Sequence, residues 1–221
     1  MDTIQQQKAA LRRELAAAER TMMPEEKRLS DSAILHHVLN TQEYRRAHTV
    51  FAFVGRADEI DTRPLLEQIL ADGKRLCVPL CTAPGVMECR EVRDLTVLRP
   101  GAYGISEPPD NAPAVPPECV DLAIIPCAGA AADGRRLGRG GGYYDRFLAQ
   151  YTGDALLLCR ERLLCPSIPQ ETHDIRAPAV VTEQGRLASG KGIPGRGCLF
   201  LICSVPVPLP LGWPCPPRPP S

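Results

Sequence analysis

The chain has 221 residues and no formal net charge, with 26 lysines and arginines against 26 aspartates and glutamates. That length suits one domain with a sizeable core, and the charge balance argues against nucleic acid or a membrane as partner. Ten cysteines occur without any Cys-x-x-Cys spacing, which weakens zinc-site and thioredoxin-like readings. Cysteines inside apolar runs pack as small hydrophobes. The start, Met1-Asp2-Thr3-Ile4-Gln5, has neither the basic nor the apolar region of an export signal. Together with reduced thiols, this points to a cytoplasmic protein. A monomer is expected.

From Thr3 to about Arg20 the chain is rich in Ala and Glu and free of Gly and Pro, which predicts a helix. Ile4, Leu11 and Leu15 form its apolar stripe. Lys8 falls beside that stripe and Arg12 lies one turn further on, whereas Arg13 points away. Two readings stand for Lys8 and Arg12. They are stems bordering the core, or a basic pair aimed at a phosphate within the protein. Pro24-Glu25-Glu26 opens a second helix to about Leu39, with proline fixing φ and the acids favouring the positive end of the dipole. Its expected buried face is Leu29, Ala33 and the Val38/Leu39 region.

Residues 50–54, Val-Phe-Ala-Phe-Val, form a continuous apolar run typical of a strand covered on both faces. Gly55-Arg56-Ala57-Asp58 breaks it. Thr62 is a predicted N-cap for a helix from about Arg63 to Ala71, closed by Gly73. By themselves Glu59 and Asp61 are capping or solvated acids. Residues 74–80 predict a strand, and the alternation in residues 86–92 predicts an edge strand. Residues 101–108 form a loop, 111–117 a proline-rich connector, and 121–126 a short buried strand. Further strands are expected at 155–159 and 178–182, separated by a polar loop containing His173 and Asp174. Alternating helices and strands give an α/β fold with a largely parallel sheet.

Between the strand at 121–126 and a helix opening near Tyr144 lies the most informative stretch. Residues 133–146 hold five glycines, four arginines, two tyrosines and two aspartates. No apolar periodicity runs through the first half, so no core element is expected there. Clustered glycines let backbone N–H groups approach a ligand closely, and a following helix start completes an anion-binding concavity. The order differs from the common phosphate loops. No Gly-Lys-Ser/Thr ending is present, and a dinucleotide fingerprint begun at Gly138 fails at Tyr143.

Arg136-Leu137-Gly138-Arg139-Gly140-Gly141-Gly142-Tyr143-Tyr144-Asp145-Arg146 closely resembles the signature of the 5-formyltetrahydrofolate cyclo-ligase family, also called methenyltetrahydrofolate synthetase. The resemblance runs from about Ile4 to Gly185. Lys8-Ala9-Ala10-Leu11-Arg12 matches the family's ATP-binding Lys-x-x-Leu-Arg start, and residues 103–108 resemble its Trp-Gly-Ile-x-Glu-Pro, with Tyr103 in place of tryptophan. The resemblance implies a three-layer α/β fold, an open and largely parallel sheet with helices on both faces. It is similar to that of sugar-phosphate isomerases and CoA transferases. It also implies ATP- and Mg2+-dependent closure of 5-formyltetrahydrofolate to 5,10-methenyltetrahydrofolate.

The implied ATP-binding residues are Lys8, Arg12, Arg136, Leu137, Gly138, Arg139, Gly140, Gly141, Gly142, Tyr143 and Tyr144. Those implied for folate are Val54, Glu59, Arg139, Gly140, Gly141, Gly142 and Tyr143. Arg139 and Tyr143 are the catalytic candidates. Asp145 and Asp174 are the implied magnesium ligands, hard oxygen donors suited to that ion. Two departures concern substrate contacts. Residues 126–132 lack the family's phenylalanine before the loop aspartate, and Gly141 stands where some members have lysine. A regulatory nucleotide- or phosphosugar-binding module, or an ATP-independent isomerase, is the alternative on such a scaffold. The retained cations and carboxylates favour the ligase. The catalytic domain is expected to span residues 1–188, followed at 189–221 by a proline-rich, disordered tail.

Overall fold

In the computed structural model residues 3–188 are described; the expected tail at 189–221 lies outside them. Helix α1, Ile4–Arg20, begins with a capping box in which Thr3 accepts the Gln6 N–H and Gln6 accepts that of Thr3. Helix α2, Pro24–Asn40, has proline at its first position and Glu25 and Glu26 in its first turn. A short helix α3, Gln42–Arg46, leads into β1, Thr49–Ala52. Then follow α4 (Arg63–Ala71), β2 (Arg75–Ala83), β3 (Val86–Val92), β4 (Arg99–Pro100), β5 (Ser106–Glu107) and β6 (Ala114–Val115). Strand β7, Leu122–Ile125, precedes the hairpin β8 (Gly129–Ala130) and β9 (Arg136–Leu137). Helix α5, Tyr143–Gln150, is followed by β10 (Asp154–Leu158), β11 (Ala179–Thr182) and β12 (Gly185–Ala188).

Eight strands form the main sheet in the order β12-β11-β10-β7-β1-β2-β3-β6. The central run β11-β10-β7-β1-β2 is parallel, while β12, β3 and β6 pair antiparallel at the two ends. Side chains of the central strands alternate between two buried layers, as strand geometry requires. Val50, Ala52, Leu76, Val78, Leu122, Ile124, Leu156 and Leu158 pack against α2, α3 and α4. Phe51, Cys77, Ala123, Ile125, Ala155, Leu157 and Val180 pack on the opposite face against α1 and α5. Three layers result, with helices on both faces of a mostly parallel sheet.

Several local expectations are corrected. Leu29 is exposed; Val38 is buried as expected, but with it α2 buries Ser30, Asp31, Ile34 and Leu35. The face is rotated because Asp31 meets a buried arginine, Arg160, and Ser30 donates to Glu183. Ile4, placed in the apolar stripe of α1, is also exposed. Thr62 does not cap α4 with its side chain. Its hydroxyl donates to the Phe53 carbonyl at 2.8 Å and accepts the Gly55 N–H at 2.9 Å, while Asp61 accepts the Arg63 N–H at 3.0 Å. Strand β3 is not an edge, because β6 within the proline-rich connector covers it. Arg136 and Leu137 are buried strand residues rather than open loop.

Phe51 is fully buried on β1, with ring centroids 4.9 Å from Phe147 and 6.4 Å from Tyr144. Phe51→Ala is expected to cost about 3–5 kcal/mol of stability in urea unfolding. Val86→Ala, at an exposed position, should stay within about 0.5 kcal/mol of the parent.

Candidate active site

Strand β1 pairs with β2 on one side and with β7 on the other, so the chain's winding reverses between β1 and β7. At such a reversal the loops leaving the carboxyl ends diverge and open a crevice. A cleft of about 340 Å³ lies there, lined by Phe53 and Val54 after β1 and by Pro126 and Cys127 after β7. Every residue put forward from the sequence lines this one cleft: Lys8, Arg12, Val54, Glu59, Arg136, Leu137, Gly138, Arg139, Gly140, Gly141, Gly142, Tyr143, Tyr144, Asp145 and Asp174.

The glycine loop crosses the cleft between β9 and α5. Gly140 and Gly142 have φ of 101° and 68°, left-handed values that favour glycine. Gly142 is the N-cap of α5, and no side chain caps that helix start. Its first N–H groups are thus suited to an anion. Gly138 serves a different purpose. A Cβ there would lie 2.7 Å from Nη1 of Arg136, whose side chain is only 3% exposed and pairs with Asp145 at 2.8 Å. Arg146 ties the loop from outside, its Nη2 donating to the Gly141 carbonyl at 2.5 Å and its Nε to the Gly85 carbonyl at 2.6 Å.

The remaining cations come from other elements. Arg12 Nε donates to the Gly138 carbonyl at 2.6 Å. Arg139 reaches across to the loop after β1, with Nε 2.7 Å from Glu59 and Nη1 2.9 Å from Asp58. Lys8 is buried, 2.5 Å from Asp174 and 2.9 Å from Glu171. Burial alone would lower the Lys8 ammonium, but the bonds to Asp174 and Glu171 outweigh it and hold its pKa above the ordinary value. Burial likewise would raise the Asp174 carboxyl, and Lys8 with the Glu171 N–H holds it below the ordinary value instead.

Sequence reasoning missed Glu171, Glu107, Arg146 and Arg160. Arg146 and Glu107 fall in the two family-like stretches, which mark their positions but not their roles, and nothing local marks Glu171 or Arg160, whose partners are brought near by folding. Ligand atoms of Glu171, His173 and Asp174 lie within 4.8 Å of one another. Asp145 stands outside that group, with its carboxylate on Arg136. Tyr103, half of an aromatic pair at the cleft, holds an unusual positive φ of 57° and meets Tyr143 hydroxyl to hydroxyl at 2.9 Å. Buried Glu107 fixes the turn beneath it by accepting the Cys81 N–H at 3.1 Å and the Ala102 N–H at 3.0 Å.

The structure is thus an open α/β sheet with a glycine-rich, cation-flanked loop at its switch point, the position at which such sheets generally bind ligands. Residues 4–183 match the 5-formyltetrahydrofolate cyclo-ligase family, and the chain belongs to that family of ligases. It is 30% identical over 169 residues to 5-formyltetrahydrofolate cyclo-ligase of Escherichia coli strain K12, covering 74% of this chain and 93% of that one. The mouse, Mus musculus, 5-formyltetrahydrofolate cyclo-ligase is 25% identical over 197 residues, covering 82% of this chain and 96% of its own. Among solved structures, 5,10-methenyltetrahydrofolate synthetase of Aquifex aeolicus superposes with a TM-score of 0.74 at 26% identity, covering 90% of this chain and 99% of that one. No helix among the described residues is long and apolar enough to cross a membrane.

Because the folded Asp174 pKa is depressed, the pair with Lys8 stabilises the fold above pH 3.8, the ordinary value, and this stabilisation is lost as pH falls through the lower folded value. Lys8→Met is expected to move the Asp174 titration upward in carboxyl NMR. At neutral pH it should cost roughly 1–3 kcal/mol, and the gap from wild type should close on acidification. An unmoved Asp174 titration would contradict the pairing.

Proposed function

We propose that this chain closes 5-formyltetrahydrofolate to 5,10-methenyltetrahydrofolate in an ATP- and magnesium-dependent reaction that releases ADP and phosphate. The observation that carries this reading is the convergence of the glycine loop, Lys8, Arg12, Arg139, Val54 and Glu59 on a single cleft. A formamide oxygen is a poor leaving group. Transfer of the γ-phosphoryl of ATP to that oxygen gives an imidoyl phosphate. N10 of the folate then forms the new C–N bond and loses its proton, and the C–O bond breaks to release phosphate. Such chemistry asks the protein for positioning and charge neutralisation above all.

The residues are assigned accordingly. Backbone N–H groups from Gly138 to Gly142 cradle phosphate oxygens. Arg139, with Lys8 and Arg12, offsets charge on the group in transfer, and a guanidinium fork suits that task. Arg136 stays beneath the loop and fixes Asp145 at 2.8 Å. Tyr143 and Tyr144 present flat faces and hydroxyls to ligand rings, and Glu59 accepts from the edge of the pterin. Asp145 and Asp174 are carboxylates lining the cleft, a donor chemistry that fits magnesium, and they would hold it. When bound, that ion supplies charge neutralisation for the polyphosphate. A cytoplasmic setting agrees with this activity. Absorbance of methenyltetrahydrofolate, followed on mixing the protein with ATP, magnesium and 5-formyltetrahydrofolate, tests the reading; no product in the complete mixture would refute it.

Arg139→Ala should depress turnover by about a hundredfold or more, the scale of losing one charge-stabilising donor. Arg139→Lys should recover only part, because a point charge replaces a fork. Single-turnover measurements at saturating ATP and folate check this, and near-parental chemistry in Arg139→Ala would remove it from the phosphoryl clamp. Asp145→Asn and Asp174→Asn should each raise the magnesium concentration needed for half-maximal rate while circular dichroism stays that of the folded protein. Unchanged magnesium titrations in both would remove them from the metal site.

A further inference from the structure

We infer that Arg160 is a positioning residue for the folate side of the cleft, acting through Glu59; the inference rests on the cyclo-ligase reading proposed above. Arg160 follows β10 and does not line the cleft. Its side chain is 2% exposed. Nη1 lies 2.5 Å from Glu19 on α1, and Nη2 lies 2.6 Å from Asp31 on α2. The same Nη2 donates to the backbone carbonyl of Glu59 at 3.1 Å. Asp31 uses its other oxygen to accept the Asp61 N–H at 3.0 Å. Arginine and aspartate therefore hold two backbone groups of one turn.

Glu59 is gripped from both sides. Its carbonyl rests on Arg160, while its carboxylate takes Arg139 at 2.7 Å and the Arg56 N–H at 3.2 Å. A small cavity of about 20 Å³ between them is lined by Asp58, Glu59 and Arg160, room for about one water. The cluster's charges are a poor investment in stability alone, since apolar groups of similar volume stabilise as well as a buried ion triad. Apolar groups cannot, however, bond a chosen carbonyl and a chosen N–H. The support under Glu59 thus fixes where its carboxylate meets the folate.

Arg160→Lys in the full chain keeps the buried charge, so Glu19 and Asp31 are not left uncompensated, but an ammonium lacks the planar fork. KM for 5-formyltetrahydrofolate should rise about tenfold or more, the scale of losing a hydrogen bond to a charged group. KM for ATP should stay within about twofold, as for a change outside its contacts. Amide exchange should quicken at residues 58–61 and not in α5. A lower melting temperature with an unchanged ratio of the two KM values would reduce Arg160 to a structural role and overturn the inference. Unchanged exchange at 58–61 would do the same. If Arg160→Lys does not fold, Asp31→Asn replaces it. It is isosteric and keeps an oxygen for the Asp61 N–H, and the same selective rise of a few-fold is expected; an equal rise in both KM values would overturn the inference. Should the parent protein show no turnover, the cyclo-ligase reading fails, and exchange at 58–61 alone decides. Acceleration there supports the hold of Arg160 on the turn, and its absence overturns it.

Discussion

The reversal of winding between β1 and β7 is the constraint on which the site depends. A parallel sheet covered on both faces offers a ligand little but the carboxyl ends of its strands. Neighbouring loops there usually cross to the same face and close over each other. Only at the reversal do they part. The loop after β1 brings Val54 and Glu59, and the chain after β7 brings the glycine loop. Helix α1 joins from outside the sheet, and its Lys8 lies against the 171–174 loop after β10. Residues from distant parts of the sequence meet because the sheet order leaves them that space.

Within that space the charges are already matched. Lys8 holds Asp174 and Glu171, Arg136 holds Asp145, and Arg139 holds Asp58 and Glu59. Partly buried cations without partners would be costly, so the free site keeps its cations by lending them carboxylates. In the proposed reaction a polyphosphate would exchange partners with these acids rather than meet bare charge, and its net gain would be the difference between two sets of charge-assisted bonds. Arg139 stands apart from Arg136 in this respect. It is 36% exposed on its side chain against 3% for Arg136, which leaves it the freer of the two to exchange a partner.

Much of this was legible in the sequence. The runs at 50–54, 121–126 and 155–159 became β1, β7 and β10 because a continuous apolar stretch needs cover on both faces. The site's glycines and arginines stand nearly side by side, so their residue types alone singled out the loop that lines the cleft. Illegible were the groups whose place is set by a partner far along the chain. Asp31 is buried in place of Leu29 because Arg160, 129 residues away, is there to meet it. Arg136 reads as a loop arginine until the β8–β9 hairpin folds it inward onto Asp145. Thr62 sits where a cap belongs, yet the end of β1 has the stronger claim on its hydroxyl. Periodicity reports which residues seek the core; it is silent on buried polar groups, whose tolerance depends on geometry that folding creates.

Arg146 links the glycine loop to a place that otherwise has every mark of free surface, the turn between β2 and β3 at Gly85. Hairpin turns are where chains normally accept insertions, deletions and grafted sequence. Here the turn's carbonyl is one of two held by a single guanidinium, and a Cβ on Gly85 would fall 1.9 Å from it. Lengthening the turn would move one end of a brace whose other end is the loop at the cleft. The hairpin's length is therefore bound to the spacing of the glycine loop, and variation at this rim must come in both segments together or in neither.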